Sequence, residues 1–190
     1  MNETPSPSRV HIGFFGRRNT GKSSLVNWFF GDSIQKVSAA IETSKITFVT
    51  TGKKRDSFDG TATIQLFSFL EDCKSLPNLL ENLQTEMRLP VEDRSSLVTF
   101  IDTPGFISDK TRLPFDCETI TLKLAEHAHR IIVIIDPIGQ AFAQPLKEFV
   151  KKAHRKFRAK MHFFLSKTDT LNQEERARIV ASVSQSLSEC

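Results

Sequence analysis

Short apolar runs recur along this chain, and most of them end on a glycine, an aspartate or a polar turn. Residues 9–16, RVHIGFFG, form the first and end on Gly16. Residues 22–30, KSSLVNWFF, then read as a helix, with Gly31 and Asp32 just past its end. Strands are expected over 46–51, ITFVTT, over 97–101, LVTFI, and over 130–136, RIIVIID. The run at 130–136 has no polar alternation, which is the mark of a strand buried on both faces of a parallel sheet. A similar run begins at Met161, MHFFL, and leads into SKTD. Helical spacing of Leu76, Leu79, Leu80, Leu83 and Met87 predicts a core-facing helix over LPNLLENLQTEMR. Strand and helix signals therefore alternate, and the pattern predicts an α/β fold: a doubly wound, mostly parallel sheet with helices on both faces. The stretch between residues 51 and 97, which includes TATIQLFSF, is expected to hold an added strand and helix.

Composition is ordinary for a globular protein: 190 residues, 39% hydrophobic and 25% charged. That length supports one domain with a sizeable core. The net charge of +4 is local in origin. Much of it lies in 147–160, KEFVKKAHRKFRAK, where Phe149, Val150, Ala153 and Phe157 share a stripe. The run is therefore expected to be the solvated face of a sheet-covering helix, and no nucleic-acid partner is predicted. The three cysteines, Cys73, Cys117 and Cys190, are scattered and lack metal-ligand spacing, so reduced thiols in the cytoplasm are expected. None of the five histidines is assigned a site; His127 and His129 are read as pointing to different faces of a helix. No apolar run approaches a membrane span, and the first ten residues do not read as a targeting segment.

Chemistry concentrates at the ends of the runs. GRRNTGKS, from Gly16 to Ser23, matches G-x-x-x-x-G-K-[ST] between an expected strand and an expected helix. Phosphate oxygens need converging backbone N–H groups and a helix N-terminus, which this context supplies. Gly16, Asn19, Thr20, Gly21, Lys22, Ser23 and Ser24 are accordingly the nucleotide-binding candidates of the loop. In this geometry Lys22 reaches the β- and γ-phosphates and the Ser23 hydroxyl binds Mg²⁺. The strand over 97–101 delivers Asp102 and Gly105 as D-T-P-G at its C-terminal end, where a parallel sheet presents ligand groups. Asp102 is a candidate for Mg²⁺ and the Gly105 N–H for the γ-phosphate, although D-T-P-G is also common turn chemistry. SKTD, from Ser166 to Asp169, is a variant of [N/T]-K-x-D. An aspartate there accepts from the guanine N1–H and exocyclic amine while the Lys167 stem lies along the base.

Taken in order, GRRNTGKS, DTPG and SKTD resemble the three diagnostic elements of a P-loop GTPase over most of the chain. The stretch from VTFIDTPGF to LSKTDTLN resembles the dynamin-like EHD family, while HIGFFGRRNTGKSSLVN is equally similar to the Era-like branch that includes hydrogenase-maturation GTPases. The Pro- and Ser-rich residues 1–8 are expected to be a disordered tail, and the resemblance implies a single G domain over 9–190, with the last strand missing and MHFFL left as a sheet edge. It implies GTP with Mg²⁺, or ATP as in EHD proteins, and Thr43 aligns with the threonine that such proteins place on the metal in the catalytic site, with Thr47 as the alternative. The position after D-x-x-G, where a Ras-type GTPase often carries a water-orienting glutamine, is Phe106. The dynamin-like resemblance instead points to the P-loop residues Asn19 or Arg18 acting in a dimer. It thus implies slow hydrolysis, stimulated by self-association or by an activating protein. Peripheral membrane contact would come through a longer parent protein. A non-hydrolysing nucleotide-binding module remains the alternative.

Overall fold

The structure is a computed structural model and describes residues 9–35, 44–90, 93–106, 115–137 and 144–189. Strand β1 (Val10–Gly16) runs into helix α1 (Lys22–Phe30), and β2 (Ile46–Thr51) follows. Next come β3 (Asp56–Phe58), α2 (Gly60–Leu66), β4 (Leu83–Arg88), β5 (Val98–Asp102) and α3 (Cys117–His127). The chain then runs through β6 (Arg130–Ile135), α4 (Gln144–Phe157), β7 (Met161–Leu165) and α5 (Gln173–Ser188). The strands form one seven-stranded sheet in the order β3-β4-β2-β5-β1-β6-β7. Pairing is parallel for β1 with β5 and β6, for β6 with β7 and for β2 with β4. It is antiparallel where β2 meets β5 and where β3 meets β4.

Two consecutive phenylalanines show how the layers arise. Side chains alternate across a strand, so Phe14 and Phe15 enter different cores. Phe14 joins Val26 and Phe30 of α1 with Val49, Phe100 and Ile134. Phe15 joins the larger cluster, which holds Ile64 of α2, Ile120 and Leu124 of α3, and Phe149 and Val150 of α4. Helices thus cover both faces, as the apolar runs predict. Helix α4 buries Leu146, Phe149, Val150 and Ala153 and turns its lysines outward, as its stripe indicates.

The expected helix over Leu76 to Met87 does not form. Instead a 3₁₀ turn at Leu80–Asn82 leads into β4, where Leu83, Thr85 and Met87 are buried between half-buried Gln84, Glu86 and Arg88. The spacing misleads because a step of four is even. Leu79, Leu83 and Met87 therefore satisfy a two-residue period as well as a helical one. The added helix of this region is α2, within the TATIQLFSF stretch, and the added strands are β3 and β4. His127 and His129 do not share a helix either: α3 ends at His127, and His129 lies beyond it, its Nδ1 accepting from the His11 N–H at 2.9 Å. Strand β7 lies at the sheet edge, as expected.

Candidate functional site

The C-terminal ends of β1 and β5 lie side by side, with Phe14 opposite Asp102 in parallel register. That pairing brings the glycine-bounded loop against the D-x-x-G segment. Phe106 N–H donates to the Gly16 carbonyl at 3.0 Å, and the Thr103 hydroxyl donates to the Phe14 carbonyl at 2.6 Å. These bonds tie the segment after β5 to the strand that launches the loop.

Gly21 caps α1 at φ +90°, a left-handed conformation that glycine adopts without strain. It supplies no side-chain cap, and the first turn of α1 carries no acidic residue. By contrast, α2, α3 and α5 are each capped by a side chain, from Asp59, Asp116 and Asn172 respectively. The first turn of α1 therefore keeps N–H groups and positive dipole for an anion. Ser24 faces outward beside it, and the Thr20 hydroxyl donates to the Arg17 carbonyl at 3.0 Å, bracing the loop. Asn19 lies exposed at the loop tip with φ +58°. Arg18 is half-buried, and its backbone packs against Gly105.

Three side chains converge beneath this loop. Lys22 is 5% exposed, and its Nζ donates to the Arg17 carbonyl at 2.8 Å and the Gly16 carbonyl at 3.4 Å. The Ser23 hydroxyl donates to Asp102 Oδ2 at 2.5 Å. Asp102 is fully buried, and its Oδ1 has no hydrogen-bond partner among the described residues. Burial lowers the Lys22 pKa to about 8, against the opposing pull of Asp102. Burial likewise raises Asp102 to about 6, although Lys22 and Ser23 favour its charged form. Desolvation outweighs the mutual attraction for both groups. Cys117 opens α3 near this pair; burial, then Asp116, pushes its thiol up to about 12, so it stands as a neutral neighbour.

A buried carboxylate oxygen without a donor is expensive, and in this setting it fits a hard cation. Mg²⁺ takes oxygen ligands, usually one or two from the protein beside waters and phosphates. Ser23 Oγ and Asp102 meet that description. Thr43 lies outside the described residues. Thr47 is in antiparallel register with Asp102, but it is buried and its hydroxyl accepts from Gln84 Nε2 at 3.1 Å.

SKTD follows β7 at the same end of the sheet. Lys167 adopts φ +55°, and its Nζ pairs with Asp136 Oδ2 at 2.7 Å. Asp136 follows β6 directly and was given no role from the sequence; its position at a parallel strand's C-terminal end was the available signal. Ser166 reaches the Ile135 carbonyl, with its N–H at 2.9 Å and its hydroxyl at 3.4 Å. Asp169 is exposed.

Residues 12–168 match the dynamin family. The chain belongs to that family. Among solved structures, it is similar to an oligomerised bacterial dynamin pair implicated in long-range sensing and tethering of membranes, with a TM-score of 0.69 and 17% identity. That match covers 97% of this chain and 37% of the other. A second structure of the pair gives a TM-score of 0.65 at 17% identity, over 97% of this chain and 36% of that one. Era in complex with MgGDPNP and a 16S ribosomal RNA segment gives 0.55 at 16% identity, over 94% of this chain and 47% of that one. No curated protein matches. The chain thus spans little more than a third of the length of the bacterial dynamins it resembles. The sheet is that of a P-loop GTPase G domain, and the dynamin family is a family of such GTPases.

Proposed function

We propose that this dynamin-family chain binds GTP with Mg²⁺ and hydrolyses it slowly alone, faster on self-association or with an activating partner. The observation that carries this reading is Asp102 Oδ1, a buried carboxylate oxygen with no partner among the described residues, beside Ser23 and Lys22. The Lys22 ammonium now rests on two loop carbonyls and would exchange them for β- and γ-phosphate oxygens. Ser23 Oγ and Asp102 would hold Mg²⁺, which when bound neutralises charge on the phosphates. Gly16, Asn19, Thr20, Gly21 and Ser24 would line the phosphate loop, and the Gly105 N–H would approach the γ-phosphate. Lys167 and Asp169 would read the base, and Thr43 is proposed as the residue that senses the metal.

Catalysis falls to Arg18 and Asn19 in this reading. Phe106 packs into the core at 5.0 Å from the Phe149 ring, so the position after D-x-x-G orients no water. The bacterial dynamin pair is oligomerised, which supports self-association here. Membrane contact would come through a longer parent protein. Among the described residues no helix is long and apolar enough to cross a membrane.

Parallel titrations with fluorescent GTP, ATP and GDP, with and without Mg²⁺, test the reading, with Asp169→Ala as control. Preference for GTP that Asp169→Ala removes supports it. Preference for ATP would favour an ATP-using protein of the same fold, and no binding would overturn it. GTP binding without turnover, in a preparation where Lys22→Ala abolishes that binding, would favour the non-hydrolysing module.

A further inference from the structure

On the face of the sheet that carries α3 and α4, away from the phosphate loop, lies a cavity of about 540 Å³. It opens between the 3₁₀ turn Ser68–Cys73, helix α3 and the C-terminal half of α4. Its volume lies in the range of small-molecule sites. We propose that this cavity binds a small amphipathic anion, a phosphate or carboxylate attached to an apolar body, independently of the nucleotide reading.

The lining separates into two kinds of surface. Cys73, Leu122 and Phe157 provide the apolar part, and all three belong to or pack against the main hydrophobic cluster. Lys123, Lys152, Arg155 and Lys156 provide the cations, against only Asp72 and Glu126 as carboxylates. Two of the cations are already engaged. Lys123 pairs with Asp72 at 3.2 Å, and Lys152 pairs with Glu118.

Arg155 and Lys156 make no ion pair with any described residue, and both are exposed on α4 at the cavity. Adjacent on one helix, they repel each other, and an anion at the mouth would remove that repulsion. Arg155 offers a planar donor fork that matches phosphate or carboxylate oxygens, and Lys156 adds a compact charge. An anion without an apolar part would leave Leu122 uncovered, together with whatever part of Phe157 the Lys160 ammonium, 4.7 Å above its ring, does not cover. A neutral apolar molecule would leave the cations unmatched. The two halves together select an amphiphile.

The 190-residue chain would be titrated calorimetrically with decyl phosphate below its micelle concentration, beside decanol, decyltrimethylammonium and inorganic phosphate. Saturable one-to-one binding of decyl phosphate, with the other three binding weakly or not at all, is expected. Arg155→Glu combined with Lys156→Glu should weaken binding about tenfold or more, since both cations at the mouth are replaced by anions. Both side chains are exposed but lie in the last turn of α4, where two glutamates oppose the helix dipole, so Arg155→Gln with Lys156→Gln is titrated beside the reversal and should weaken binding in the same direction. Equal binding of decanol, or binding that survives the charge reversal, overturns the proposal. Phosphatidylserine vesicles form the last arm. Tight vesicle binding without decyl phosphate binding would mean that the cations serve a membrane surface, and the cavity proposal would fall.

Discussion

Gly105 packs directly onto the Arg18 backbone: a Cβ at Gly105 would lie 2.4 Å from the Arg18 nitrogen and 2.6 Å from its Cα. The D-x-x-G segment and the phosphate loop therefore touch through main chain alone. A parallel strand pair brings two strand ends together, but only a glycine lets the two loops close to this distance. The contact also sets how near the Gly105 N–H can come to anything the loop holds.

Gly105→Ala should therefore separate the two loops. The clash is with backbone and cannot be relieved by a rotamer change. Overpacking of this kind destabilises by about 1–3 kcal/mol, so the melting temperature should fall. Nucleotide affinity should fall further than the loss of stability explains, because the displaced loop carries the phosphate N–H groups. A variant that binds nucleotide like the wild type would show that the contact does not matter for the site.

The Lys22 and Asp102 pair predicts an unusual pH profile for the nucleotide-free chain. Asp102 titrates near 6 when folded and near 3.8 when unfolded, so between these values the folded state holds the extra proton. Stability then falls as pH rises through that window. Lys22 titrates near 8 folded and near 10.5 unfolded, so the unfolded state holds the extra proton there and stability rises across that window. The pair's contribution is least favourable between about pH 6 and 8. Moving a buried carboxyl pKa this far corresponds to about 3 kcal/mol. Melting curves of wild type and Asp102→Asn from pH 4 to 7 check it. The acid-side decline should be present in the wild type and absent from the variant. GTP with Mg²⁺ should flatten it.

Much of this site was legible from residue types at strand ends. GRRNTGKS, DTPG and the buried run RIIVII each depend on local chemistry, and each took the expected element. The region from Gly60 to Arg88 was not legible in the same way. There, Leu79, Leu83 and Met87 satisfy two periods at once, and sheet pairing with β2 and β3 decided in favour of a strand. Asp136 was missed for a different reason. Its ion pair is with Lys167, which follows another strand, β7, and no spacing within the chain announces a partner across a sheet.

That partnership is open to test. Lys167 is about half exposed, while the Asp136 side chain is 15% exposed. In the proposed reading, the pair holds the Lys167 stem, with its left-handed backbone, where the base would lie. Exposed ion pairs contribute about 0.2–1 kcal/mol, so Asp136→Ala should weaken GTP binding by no more than about fivefold. Adenine nucleotide binding should not change, and the melting temperature should shift little. A loss equal to that of Asp169→Ala would mean that Asp136 contacts the ligand itself.

Phe106 bears on the hydrolysis proposed for this chain. Phe106 is 7% exposed, its N–H is bonded to Gly16, and its ring packs at 5.0 Å from that of Phe149. Phe149 in turn stacks on Phe15 at 4.7 Å. Replacing Phe106 by glutamine would place an amide in this aromatic stack rather than over a phosphate. Phe106→Gln should therefore lower stability by about 3 kcal/mol or more, as large-to-small core changes do. It should not raise turnover, although a glutamine at this position orients water in Ras-type GTPases. In the proposed reading, hydrolysis then draws on groups at the open loop tip, where Asn19 stands exposed beside Arg18. A second chain can reach such a tip, so turnover per molecule should rise with protein concentration in the wild type. Asn19→Ala or Arg18→Ala should remove that rise. A concentration-independent rate, untouched by either substitution, would place the catalytic group elsewhere in the chain.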